Sequence, residues 1–138
     1  LSLIFNILMK KLLVIGSILG ASAVILGAFG AHALKTILTE SQLESYQTGV
    51  HYQIIHAIVI IIIGILYHLT KNRNFITAAN LMFAGVMFFS FSIYLLSLRD
   101  FLGMPQLSFL GPVTPIGGTL MIIGWIIILI NAVKLKND

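Results

Sequence analysis

The sequence predicts an all-α integral membrane protein, a four-helix bundle with both termini cytoplasmic. Three observations predict it. The chain is 59% apolar and only 9% charged, with a mean hydropathy of +1.07. A water-soluble domain carries about 25% charged residues, so water could not wet this surface and lipid must be the solvent. Four apolar stretches, residues 12–34, 52–69, 75–98 and 116–133, are each long enough to cross the membrane, since about 20 helical residues span the ~30 Å hydrocarbon core. The basic residues are also placed unevenly. Lys10, Lys11, Lys71, Arg73, Lys134 and Lys136 fall on the side of the termini, whereas only Lys35 and Arg99 fall on the other. By the positive-inside rule the termini lie in the cytoplasm.

The first span follows Met9-Lys10-Lys11, which reads as a natural start. Residues 1–8 are therefore read as an N-terminal extension ahead of a single domain, residues 9–138. Two lysines before an apolar run also fit a signal peptide, but the run passes Ala21–Ala23 without a break. Gly16, Gly20, Ala23, Gly27 and Ala31 recur at helical spacing. Small residues in line let a second backbone approach closely, which is how helices associate in lipid.

Residues 36–48 are polar. Ser41 and Glu44 have capping-box spacing, so a helix is expected to begin near Ser41 and run into the second span. Thr70-Lys-Asn-Arg-Asn74 is a short basic turn, which makes the second and third helices antiparallel neighbours. The third span carries Asn80, Ser90, Tyr94 and Ser97, read as one face. Residues 99–111 are irregular and suit the membrane interface. Thr114 followed by Pro115 reads as an N-cap with proline at the first helical position, opening the fourth span.

In register, the polar side chains converge. Tyr46, Gly49, Gln53 and His56 share a helix face, because spacings of three, four and three residues return to nearly the same azimuth. His32 ends the first span. Ser90 and Tyr94 leave outward on the third helix, and Thr114, Gly117 and Gly118 enter on the fourth. All of these lie in the outer half of the membrane, where hydrocarbon offers no hydrogen bonds and each group must face protein, water or a ligand. Two readings compete. In one, the groups bond one another and fix helix register. In the other, His32, Tyr46, Gln53, His56, Ser90, Tyr94, Thr114, Gly117 and Gly118 line a pocket for a headgroup, with the N-terminus of the fourth helix aimed into it.

The chemistry that can be built here is narrow. There is no cysteine, hence no disulfide, thiolate nucleophile or cysteine-held cluster. Glu40, Glu44, Asp100 and Asp138 all lie in loops or the tail, whereas proton-coupled transport usually uses an intramembrane carboxylate. His51 and His56 are five residues apart and cannot share one metal on a regular helix. No metal site, catalytic residue or cofactor is expected. The net charge of +4 is dispersed and does not point to nucleic acid.

Three segments resemble one known group: Gly27-Ala-Phe-Gly-Ala-His-Ala-Leu34, Tyr46-Gln-Thr-Gly-Val-His-Tyr-Gln-Ile-Ile-His-Ala57, and Leu110-Gly-Pro-Val-Thr-Pro-Ile-Gly-Gly118 with Gly124-Trp125. In this order they are similar to the YgdD/YwdK family of small four-span inner-membrane proteins, whose activity is unknown. The resemblance covers nearly the whole chain after Leu8 and implies a multi-pass protein of the cytoplasmic membrane. In the third helix the family has Phe-Ser-Gly-Ser-x-Tyr, where this chain has Phe89-Ser-Phe-Ser-Ile-Tyr94. Phenylalanine at position 91 is expected to loosen or re-route a helix contact.

The functional expectation is a non-enzymatic accessory or assembly factor whose polar cluster is structural. The alternative is a binder of a lipid, quinone or similar amphiphile in an outer-leaflet pocket centred on His56, and a small transporter is the third. The partners expected are membrane lipid and either a second copy, joined through Gly117 and Gly124, or another membrane protein.

Overall fold

The computed structural model describes residues 2–135. Lys136 and Asp138 lie outside the described residues. Four helices follow one another: α1 (Ser2–Ala31), α2 (Glu40–Thr70), α3 (Asn74–Leu98) and α4 (Val113–Val133). Each is long and apolar enough to cross a membrane, and no strand occurs among the described residues. The three extensive interfaces join α1 to α2, α2 to α3, and α3 to α4. Thus α2 and α3 form the centre while α1 and α4 flank them.

The core follows from that order. Ile60, Ile63 and Tyr67 of α2 and Phe75, Ala78, Ala79, Met82 and Val86 of α3 are buried, and Leu12, Leu19 and Met121 close over them from the flanks. On the outside, Ile18, Val24, Ile58, Ile122 and Leu129 are exposed. This is the pattern of a protein whose solvent is hydrocarbon.

The small-residue seam of α1 packs on α2 as its spacing predicts. A Cβ added at Gly16 would lie 2.8 Å from the Ala57 carbonyl oxygen, and one at Gly27 would meet Val50. The seam drifts around the helix at its end, so that Gly30 meets Tyr46 and Ala31 is exposed. Helix α1 begins at Ser2, well before the apolar span. Phe5 packs on Tyr67 with ring centroids 5.5 Å apart and lies under the Lys71 ammonium.

Several boundaries differ from the sequence reading. The capping box of α2 uses Thr39 and Gln42 rather than Ser41 and Glu44: Gln42 N–H donates to Thr39 Oγ1, and Thr39 N–H donates to Gln42 Oε1. Threonine caps as well as serine, and glutamine closes the box as glutamate would. Helix α4 starts at Val113 after Pro112, so Thr114 is not its cap and Pro115 sits inside the first turn. A proline fits there because none of the first four N–H groups has an intrahelical partner.

Asn80 does not share the buried face of Ser90, Tyr94 and Ser97 but is exposed, since ten residues leave it about 80° away around the helix. Phe91, expected to loosen or re-route a helix contact, lies on the outer face of α3. It projects outward, 41% exposed, with its ring edge-on to Tyr94 at 5.7 Å. Gly117 and Gly124, read from the sequence as a face for a second copy, are buried within the chain against α3. Between α3 and α4 a 3-10 turn, Pro105–Leu110, leaves Phe101, Leu102 and Phe109 exposed at the mouth of the bundle.

Candidate functional site

The register of α1 against α2 brings Ser22 level with Gln53, because Gly30 lies on Tyr46 and Leu12 on Gly64. Gln53 is fully buried. Its amide Nε2 donates to the Leu19 carbonyl at 3.0 Å and to Ser22 Oγ at 2.8 Å, while Oε1 accepts from the Tyr94 hydroxyl at 2.7 Å. The amide orientation is fixed by this set, since turning it over would put oxygen against the Leu19 carbonyl. One side chain thereby ties α1, α2 and α3 together.

A second layer lies above it. The Tyr46 hydroxyl donates to the Leu26 carbonyl at 2.7 Å, and the Tyr46 and Tyr94 rings pack with centroids 5.1 Å apart. Both rings need missing side chains. A Cβ at Gly30 would lie 2.8 Å from Tyr46, and one at Gly49 would lie 2.8 Å from Tyr94. Ser90 Oγ donates to the Gly49 carbonyl at 2.7 Å.

His56 closes the cluster toward α4. The indole Nε1–H of Trp125 donates to His56 Nε2 at 3.2 Å, and His56 Nδ1 lies 2.8 Å from the Tyr52 carbonyl. An indole can only donate and a carbonyl can only accept. The ring is therefore assigned as the neutral Nδ1–H tautomer, with both nitrogens engaged. Thr114 joins α4 to α3 through Ser92, 2.7 Å away. Gly117 is where the backbones touch: a Cβ there would overlap the Phe89 nitrogen and lie 2.7 Å from the Gly85 carbonyl oxygen. Gly118 has room, its nearest neighbour being the Phe89 ring at 3.8 Å.

Of the nine residues picked from the sequence, Tyr46, Gln53, Ser90 and Tyr94 form one connected cluster spanning three helices. His56 and Thr114 make separate links between α4 and the central helices, Gly117 contributes close backbone approach to α3, and Gly118 touches only the Phe89 ring. His32 stands apart. It is exposed just beyond α1, where its backbone N–H bonds the Ala28 carbonyl. Ser22 and Trp125 were not assigned to the cluster from sequence. For Ser22 the signal was available, as a polar residue inside the first apolar span, beside the α1 seam.

The end of the bundle that carries the termini holds a second polar knot. Asn131 Oδ1 accepts from Asn72 Nδ2 at 2.8 Å and from Asn74 Nδ2 at 3.0 Å, and its own Nδ2 donates to the Ile127 carbonyl. No group of three or more metal-ligating His, Asp or Glu side chains occurs among the described residues.

Residues 26–118, which contain most of this cluster, match the family model described as a protein of unknown function, DUF423. The chain belongs to the DUF423 family. Relatives of this DUF423 protein include the UPF0382 membrane protein YwdK of Bacillus subtilis (strain 168), 40% identical over 127 residues, 91% of this chain and 98% of the relative. The UPF0382 membrane protein SAB0533 of Staphylococcus aureus (strain bovine RF122 / ET3-1) is 39% identical over 126 residues, again 91% of this chain and 98% of the relative. No solved structure matches. The expected resemblance is thus met, and the DUF423 protein is a membrane protein whose four helices contact lipid.

Proposed function

We propose that this DUF423 protein is a non-catalytic accessory or assembly factor of the cytoplasmic membrane, with both termini in the cytoplasm. One observation carries the reading. The hydrogen-bonding side chains of the buried cluster are consumed within the protein, and Gln53 of α2 spends both donors on α1 and its acceptor on α3. Such a cluster fixes helix positions and leaves no base or nucleophile facing open space. The apolar outer faces of α1 and α4 supply surface that lipid or another membrane protein can cover. An amphiphile pocket centred on His56 has less support, because Trp125 occupies the ring nitrogen that a ligand would need.

Cross-linking in native membranes tests this. A defined membrane-protein partner captured in constant ratio is expected, and the partner should persist with His56→Gln. A turnover catalysed by the purified protein, and abolished by His56→Gln at unchanged thermal stability, would overturn it.

A further inference from the structure

The mouth of the bundle opposite the termini contains a cleft that the buried cluster does not use. It has a volume of about 440 Å³ and lies between the first turns of α2, the end of α3 and the start of α4. Its floor includes Ile93, and its walls carry Ser45, Thr48, Ser97, Arg99 and Thr114.

The donors and acceptors in this wall are unevenly spent. The Ser45 and Thr48 hydroxyls donate to the carbonyls of Ser41 and Glu44, at 3.0 and 3.1 Å. Their oxygens are left as acceptors. Ser97 is 4% exposed, and its Oγ is buried with no hydrogen-bond partner. A buried hydroxyl that has given up water without a replacement is costly, so the fold is expected to offer it an acceptor. Arg99 has five N–H donors, yet its ion pair with Asp100 is one loose contact, Nε to Oδ1 at 3.6 Å. Asp100 turns its other oxygen to Gln42 Nε2 at 2.8 Å. Part of the guanidinium charge is thus neutralised, which suits one anionic group rather than several.

We propose that this cleft seats the headgroup of an anionic glycerophospholipid. The phosphate takes Arg99 and the Ser97 hydroxyl, and headgroup hydroxyls donate to the oxygens of Ser45 and Thr48. An acyl chain leaves along Ile93. The assignment does not depend on an accessory role or on which compartment the mouth faces. It depends on position: the cleft lies at the ends of three membrane-spanning helices, where Arg99 closes α3, and Arg forks match phosphate oxygens.

Native mass spectrometry of the full chain, released from phosphatidylglycerol or phosphatidylcholine nanodiscs, tests it. One retained phosphatidylglycerol per chain is expected, with phosphatidylcholine lost at low activation. Arg99→Gln and Ser97→Ala should each weaken retention about tenfold, the factor for one charge-assisted hydrogen bond. Arg73→Gln, at the other end of the bundle, should change nothing. Equal retention of both lipids overturns the proposal. So does retention unchanged by Arg99→Gln, or glycerol 3-phosphate binding as tightly as the lipid, which would make the site one for a soluble phosphate.

Discussion

The Tyr94 hydroxyl of α3 donates to Gln53 Oε1 of α2 at 2.7 Å, with both side chains buried. In hydrocarbon neither group has an alternative partner, so each is held by the other. Tyr94→Phe should destabilise the detergent-solubilised protein by about 1–3 kcal/mol, the cost of a buried acceptor left alone. The double variant with Gln53→Leu should lose less than the sum of the two single losses. A coupling near 0.6–1.7 kcal/mol is the range for such bonds between membrane helices. Additive losses in equilibrium unfolding would mean that the bond contributes nothing of its own.

Adjacent glycines at the start of α4 should respond differently. Gly117→Ala forces a methyl into the backbone of α3 at Phe89 and Gly85, whereas Gly118→Ala places one in ordinary contact with the Phe89 ring. Backbone cannot give way as a flexible side chain can. Gly117→Ala is expected to cost about 1–3 kcal/mol, the range for overpacking, and Gly118→Ala to be close to neutral. Comparison of their thermal midpoints decides this, and equal midpoints would refute the close approach.

Much of this was legible in the residues. Apolar run lengths marked the four helices, and the three-four-three spacing of Tyr46, Gly49, Gln53 and His56 marked the buried face of α2. What was not legible depends on how far each helix is rotated about its axis. Asn80 and Ser97 differ in burial although both are polar residues on α3, and Gly117 resembled a free helix end until the start of α4 moved back to Val113. Partners that do not share a helix, such as Trp125 for His56, need the register between helices. In that register α2 and α4 meet only across the edge of α3.

The indole-to-imidazole bond has an optical signature, because Trp125 is the chain's one tryptophan. His56→Leu removes the acceptor and should shift indole emission to shorter wavelength, since an unbonded N–H relaxes less after excitation. Trp125→Phe should lower stability by about 1 kcal/mol, the typical net worth of one hydrogen bond. An emission maximum unmoved by His56→Leu would show that the indole bonds elsewhere.

The asparagine knot makes the last prediction, and it concerns a turn rather than a span. Lys71 ends α2 in the left-handed region, at φ 56°, with its N–H on the Tyr67 carbonyl. Asn72 Oδ1 then accepts the Asn74 N–H at 3.0 Å. The amides of Asn72 and Asn74 both converge on Asn131 of α4. Asn131 is 5% exposed and stays in place through its own bond to the Ile127 carbonyl at 2.7 Å. Replacing it by leucine keeps the branched shape but removes the acceptor shared by two amide donors and uncouples α4 from the turn. Asn131→Leu should therefore destabilise the protein by about 1–3 kcal/mol. Hydrogen exchange should speed up at residues 71–76 while the buried cluster around Gln53 stays protected. Faster exchange at both ends together would mean that the bundle opens as one unit, with no separate fastening at this end.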